Sequence, residues 1–327
     1  MKRREVIALV GGAAAWPLAA RAQQPAMPAI GVLNGAPTQD SEAMRLGPFQ
    51  QGLSEAGYVE GRNVVIVYRS AEGRYDRLPM LAADLVRRQV AVIAAIGGIA
   101  PVLAAKAATT RIPIVFYSSA DPVALGLVVS LSQPTGNLTG VTSLGVEVGP
   151  KRLELLRELV PTTTNVALLV NPTNANAEIL ESDMQAATRT LGLQLHVLRA
   201  GTEHEFEKVF ASLVQLRVGA LVIGPDALFN DRSAELAAQS LRHRVAAIYQ
   251  YREFVAAGGL MSYGGSAKDS YRLVGLYTGR ILKGEKPPDL PVQQSSKVEL
   301  LINLKTAKAL SLAVPPTLLG RADEVIE

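Results

Sequence analysis

Residues 165–199 read NVALLVNPTNANAEILESDMQAATRTLGLQLHVLR, and this stretch decides the fold. An apolar run at 165–170 is followed by the turn formers Asn171, Pro172, Thr173 and Asn174. A stretch of helical period and length then occupies 174–191, and a second apolar run follows at 193–199. Strands buried on both faces read as continuous apolar runs, and a helical crossover between two such runs is the signature of a parallel sheet with helices on each side.

The same alternation extends in both directions. Downstream, apolar runs at 220–224 and 245–249 alternate with helical stretches at 202–217 and 230–243, and Thr202 with Glu205 has the spacing of a capping box. Upstream, runs at 29–34, 63–69, 91–96 and 112–117 enclose helical stretches such as 41–56 and 75–88. Each half therefore holds four strand candidates. The two halves also open alike, with Leu33-Asn34-Gly35-Ala36-Pro37-Thr38 in one and Val170-Asn171-Pro172-Thr173-Asn174 in the other. We expect an internally duplicated α/β fold of two doubly wound parallel-sheet lobes.

Three segments are candidates for the chain crossing between lobes: 132–150, 258–264 and 290–296. The second feeds a helical stretch at 266–283 that stops at Gly284 before Pro287 and Pro288. Several such crossings make a multi-strand hinge. The expected division is a first lobe of 29–142 plus about 260–286, and a second of 143–259 plus about 287–327.

Composition narrows the function. The chain has 327 residues, 48% hydrophobic and 19% charged, with no cysteine, which excludes a disordered chain, a disulfide-stapled miniprotein, a cysteine-ligated metal centre and a thiol nucleophile. Residues 1–22 open with Lys2, Arg3 and Arg4, continue uncharged through 6–20, and close on Ala20-Arg21-Ala22. This is the pattern of a cleaved secretory signal peptide, followed by a linker at 23–28. Arg3-Arg4 fits the twin-arginine route, and the basic n-region fits the general secretory route equally. Its removal would take the formal charge from +4 to +1, so the overall balance gives no support for a nucleic-acid footprint. With no cysteine after the apolar stretch and no later run of 18 apolar residues, we expect a free, monomeric periplasmic protein.

In open parallel sheets, ligands bind outside the carboxyl ends of the strands. In the first half those ends carry Asn34, Gly97-Gly98 and Ser118-Ser119; in the second, Asn171, Asn174 and Asn176, then Asp226, then Tyr251. Short side chains that both donate and accept, with free N–H groups at helix starts, suit a small polar or zwitterionic solute, and Tyr251 and Tyr263 offer aromatic cover. Asn34, Asn171 and Asn174 are equally the residues that turns and helix caps select. No catalytic constellation, metal-ligand spacing or cofactor fingerprint stands out. His196, His204 and His243 fall on predicted strands or helices rather than on strand-end loops.

The motifs Glu55-Ala56-Gly57-Tyr58, Ile112-Pro113-Ile114-Val115-Phe116, Gly136-Asn137-Leu138-Thr139-Gly140-Val141 and Gly258-Gly259-Leu260-Met261-Ser262-Tyr263-Gly264 together span most of the chain. With Lys151-Arg152-Leu153-Glu154 and Thr306-Ala307-Lys308-Ala309-Leu310, they make residues 29–320 resemble the type I periplasmic binding proteins of ABC importers. More narrowly, the chain resembles the family linked to tryptophan, tyrosine and related ligands. The resemblance implies a protein that captures a solute, closes, and delivers it to ABC permease subunits in the inner membrane. It implies ligand contacts at Asn34, Ser118, Ser119, Asn174 to Asn176, Asp226 and Tyr263. Gly97-Gly98-Ile99-Ala100 stands where that family carries Thr-Pro, Asn171-Pro172-Thr173 where it carries a serine run, and Tyr251-Arg252 where it carries acidic residues. These departures fall at the ligand, so the resemblance does not carry over an aromatic amino acid as the solute. A sensory protein that docks on a receptor or kinase would present the same sequence features.

Overall fold

The structure, a computed structural model, describes residues 27–36, 40–143, 145–294 and 298–327; the expected export segment lies outside them. The chain begins β1 (Ala29–Asn34), α1 (Asp40–Glu55), β2 (Val65–Ser70), α2 (Leu78–Arg87), β3 (Val92–Ile96), α3 (Ile99–Ala108), β4 (Ile114–Ser118) and β5 (Leu138–Thr142). It continues α4 (Gly149–Leu159), β6 (Asn165–Val170), α5 (Ala177–Leu191), β7 (Gln194–Arg199), α6 (Phe206–Gln215), β8 (Ala220–Ile223), α7 (Ala227–Asp231), α8 (Ser233–Arg242), β9 (Ala246–Tyr249), α9 (Arg252–Ala256) and β10 (Met261–Gly265). Then come α10 (Ala267–Leu282), β11 (Gln293–Gln294), β12 (Val298–Asn303), α11 (Leu304–Ala309), α12 (Pro316–Leu319) and β13 (Glu324–Ile326).

Two sheets result, ordered β11-β5-β4-β3-β1-β2 and β13-β12-β10-β9-β8-β6-β7. All pairings are parallel except β10 with β12. Within them, β2-β1-β3-β4-β5 and β7-β6-β8-β9-β10 repeat one order, the structural counterpart of the duplication expected from the two openings. The central strands are apolar because both faces are covered: every residue of β3 and β4 is buried. Helices supply the cover through stripes at helical spacing, Leu78, Leu81, Ala82 and Leu85 on α2 and Phe206, Val209, Phe210 and Leu213 on α6.

Three crossings join the lobes: from β5 to α4, from β10 to α10, and from β11 to β12. The second falls just beyond the residues the sequence suggested, and the third follows Gln294, at the end of the expected 290–296. Met261–Gly265 pairs with β9 and β12 of the second sheet, and Leu260 and Met261 belong to the second lobe's core. Gln293–Gln294 pairs with β5, and Leu290 and Val292 bury in the first lobe. The returning segment of the first lobe therefore runs from about 266 to 294 rather than 260 to 286. Apolar residues near a glycine pair read as a crossing, yet here they fill a strand whose far end makes the crossing.

Within that segment, α10 packs backbone to backbone on α1. A Cβ added at Gly275 would lie 2.0 Å from the Phe49 carbonyl oxygen, and one at Gly52 would lie 1.8 Å from the Arg272 carbonyl oxygen. The contact fixes α1, and with it Arg45, against the body of the first lobe. Gly275→Ala forces the helices apart and should lower stability by about 1–3 kcal/mol in urea denaturation; an unchanged midpoint would contradict this packing.

Candidate functional site

The strand order reverses between β1 and β3 in one lobe and between β6 and β8 in the other, and loops diverge at such switch points to leave a crevice. The two crevices face each other. Gly97 and Gly98 leave the end of β3, and Pro225 and Asp226 leave the end of its counterpart β8. Tyr117 and Ser119 come from the end of β4, and Gln250 and Tyr251 from the end of its counterpart β9. With Arg45 of α1, Asn174, Ala227, Asn230 and Tyr271 of α10, these residues line one cavity of about 20 Å³ between the lobes, space for about one water. Gly97 has φ 76° and Gly98 φ 106°, in the region L side chains avoid. A Cβ at Gly97 would also lie 2.1 Å from Asn34 Oδ1, so this turn requires glycine on both counts.

The second-lobe wall is a hydrogen-bonded cluster around Asp226. Its carboxylate accepts from Asn171 Nδ2 at 3.1 Å, from Asn174 Nδ2 at 2.8 Å and from the Leu228 amide at 2.9 Å, the last making it the N-cap of α7. Burial pushes the Asp226 carboxyl above the ordinary range, against the opposing pull of these donors. Asn174 Oδ1 accepts from the Asn176 amide at 2.9 Å, and Asn176 Nδ2 reaches Ser119 Oγ of the first lobe at 3.5 Å. Among the described residues, Asn176 Oδ1 and Gln250 Oε1 are buried without a hydrogen-bond partner. Such acceptors at the wall of a cleft are suited to a donor from outside the chain.

Other contacts also bridge the lobes. Arg45 pairs with Asp231, and the Tyr117 hydroxyl bonds both the Tyr251 hydroxyl and, at 3.0 Å, Ser143 Oγ in the first crossing. Within the first lobe, Tyr117 and Tyr271 pack ring to ring at 5.1 Å. Burial pushes the Tyr251 phenol up to about 12 and holds that of Tyr117 well above its ordinary value, so at neutral pH both stay protonated and both donate and accept. One apolar cluster accordingly runs from Phe49 and Val115 through Tyr117, Tyr271 and Tyr251 into Phe254 and Phe229.

Of the residues expected from sequence, Gly98, Ser119, Asn174, Asp226 and Tyr251 line the cavity. Asn171 and Asn176 join Asn174 and Asp226 around an adjoining pocket closed by Val170, Leu180 and Phe229. Three stand elsewhere. Asn34 lies behind Gly97 and accepts from the Ala36 amide at 3.1 Å, as a turn residue does. Ser118 is fully buried and folds onto its own loop, bonding both the carbonyl and the amide of Ala120. Tyr263 packs against the second lobe's core rather than the cavity, because β10 turns that face inward. Arg45, Tyr117, Asn230 and Tyr271 were not singled out from sequence. Tyr117 hides in an apolar run, and the others reach the cleft from helical stretches, where nothing distinguishes them from surface or core residues. His204 sits on a turn lining a wider groove of about 340 Å³ between the lobes, beside Glu72, Arg74 and Tyr75. Among the described residues no group of three or more His, Asp or Glu is placed to hold a metal.

The cluster makes Asp226 a structural as well as a lining residue. Asp226→Ala leaves three buried donors without their acceptor and should cost about 3 kcal/mol of stability, measured by chemical denaturation without added solute. A loss below about 0.5 kcal/mol would show that these donors are satisfied another way.

The chain matches, over residues 36–326, the family described as ABC transporter substrate binding protein. A tyrosine-binding protein of Clostridioides difficile (strain R20291) is 26% identical over 269 residues, 81% of this chain and 75% of its own length. Among solved structures, a conserved domain protein from Vibrio cholerae O1 biovar El Tor superposes with a TM-score of 0.82 at 24% identity. A Streptococcus pneumoniae ABC domain in complex with L-Trp does so with 0.79 at 23%. Each alignment covers 91% of this chain and 99% of the other. Two lobes of one strand order, a cleft lined by both sets of strand ends and a family match across nearly the whole chain converge: the protein belongs to the ABC transporter substrate-binding family.

Proposed function

We propose that the protein is the periplasmic solute receptor of an ABC importer, taking an amino acid or related small carboxylate into the interlobe cleft and delivering it to permease subunits in the membrane. The observation that carries this reading is the composition of the cleft: strand-end loops of both lobes bring amide, hydroxyl and carboxylate groups together, with buried acceptors at Asn176 and Gln250 that have no partner among the described residues. The kinship to a tyrosine-binding protein and to a structure holding L-Trp supports an amino-acid-like solute. Gly98, Ser119, Asn171, Asn174, Asn176, Asp226 and Tyr251 form the receiving surface, joined by Tyr117 and Gln250. Asn34 and Ser118 shape the loops that present it.

Binding rather than turnover fits this surface, which offers hydrogen bonds and charge without a nucleophile placed beside a base. Export through a signal at 1–22 brings the protein to the compartment where such a solute is met. Among the described residues no helix is long and apolar enough to cross a membrane. A single chain contributes both walls of the cleft, so the receptor works as a monomer.

Thermal-shift screening of amino acids and related carboxylates, followed by calorimetry on the hits, tests the reading. A cognate solute raises the melting temperature, and the rise grows with the logarithm of its concentration over Kd. Asn174→Ala and Tyr251→Phe then weaken its binding by about tenfold, the loss of one hydrogen bond. No stabilising solute in the panel, or unchanged affinity in both variants, would overturn it.

A further inference from the structure

Beside the main cavity, and sharing Arg45, Asn230, Tyr251 and Tyr271 with it, lies a second cavity of about 20 Å³ that Glu253, Phe254 and Ala267 complete. It has room for about one water-sized group. Glu253 stands in the first turn of α9, and among the described residues its Oε2 is buried without a hydrogen-bond partner. Burial pushes this carboxyl above the ordinary range, against the opposing pull of its own amide and of Arg252. Arg252 is itself drawn to the second lobe's edge, 2.8 Å from Glu324 and 3.9 Å from Glu299. Arg45, the other cation at this cavity, is engaged by Asp231 and by Tyr271. A carboxylate oxygen withdrawn from water is costly unless a donor answers it.

The unanswered groups around the cleft share one sign. Asn176 Oδ1, Gln250 Oε1 and Glu253 Oε2 are all acceptors, whereas the buried nitrogen donors without a partner among the described residues, Arg152 Nη2 and Arg232 Nε, belong to the hinge and to the wider groove. Gln250 Nε2 donates to Asn230 Oδ1, which leaves Oε1 as the open end of that amide. Such a surface asks for a solute rich in N–H donors. The walls around Glu253 add a preference of the same kind, because three of them are the rings of Tyr251, Phe254 and Tyr271. Aromatic faces attract a cation through the ring quadrupole, and more strongly where water is excluded. The groove of about 340 Å³ is lined by none of these four residues.

We propose that Glu253, walled by Tyr251, Phe254 and Tyr271, is the subsite for a cationic side group of the solute, so that the cleft selects an amino acid whose side chain ends in an ammonium or a guanidinium. The proposal rests on the reading of the cleft as the solute site and adds a positive charge on the side chain. Glu253 is then the specificity-determining residue. Its carboxylate answers that charge, and a neutral side chain of the same length leaves it unanswered.

Calorimetry separates the two ideas. Wild type and Glu253→Gln are each titrated with L-arginine and L-lysine, with their neutral counterparts L-citrulline and L-norleucine, and with L-tyrosine. Wild type should bind at least one basic amino acid about a hundredfold more tightly than its neutral counterpart, the size of a buried hydrogen bond between charged groups. Glu253→Gln should weaken the basic amino acid at least about tenfold and leave the neutral one within about threefold of wild type. The proposal is overturned, with the cleft kept as the site, if wild type binds L-tyrosine or a neutral counterpart as tightly as the basic amino acids, or if Glu253→Gln lowers every affinity equally. If wild type binds no amino acid or related carboxylate, the reading of the cleft falls and the proposal with it. Should Glu253→Gln fail to fold, Glu253→Asp keeps the charge and must keep the preference for the basic side chain; its loss would count against the subsite.

Discussion

The placement of the two lobes depends on one buried guanidinium. Arg152, on α4 of the second lobe, is fully buried and donates from Nε to the Tyr263 carbonyl at 2.7 Å and from Nη1 to the Gly145 carbonyl at 2.8 Å. Tyr263 lies in β10 just before the second crossing, and Gly145 lies in the first, so one side chain ties two of the three hinge segments together. Burial pulls its pKa down to about 10, which leaves it charged at neutral pH. Close backbone packing completes the joint: a Cβ at Gly264 would lie 2.0 Å from the Gln250 carbonyl oxygen. The rotation needed to open the cleft is thereby confined to the crossings between the lobes.

Around this fixed joint the cleft is held by a different class of contact. Beside the apolar cluster that holds Tyr117, Tyr271 and Tyr251, the lobes meet through polar pairs: Arg45 with Asp231, Tyr117 with Tyr251, and Asn176 with Ser119. Polar pairs exchange for hydration or for a solute at small net free energy, whereas a dry apolar interface of the same area would resist opening. The hinge is thus rigid where position matters and the cleft exchangeable where capture happens. This division follows from putting apolar strands at the lobe centres and short polar side chains at the strand ends.

Much of this was legible in the sequence. β1 and β6 begin and end where their apolar runs do, because Asn and turn residues follow each at once, and α10 matches its helical stretch to within a residue at either end. The strand-end loops were identifiable because their chemistry, Asn, Gly, Ser and Asp, is that of turns and caps. For the same reason their roles were ambiguous: the Asn34 and Ser118 side chains bond their own loops, while Asn174 and Asp226 do that and also line the cleft. Helix faces set by tertiary packing were not legible. Arg45 reaches the cleft because Gly52 and Gly275 let α1 lie close on α10, a contact between residues more than two hundred positions apart. Tyr263 failed as a lining residue because period-two alternation says that a strand has two faces, not which of them meets the core.

The central claim is that a solute bound between the strand-end loops fixes the angle between the lobes. With no cysteine in the chain, a pair of spin labels can be placed cleanly at Met80 on the first lobe and Val214 on the second, both on exposed helix faces. Electron–electron distance measurement should give a broad distribution without solute and a narrow, shorter one at saturating solute. Identical distributions in the two conditions, with binding shown in the same sample, would contradict the account.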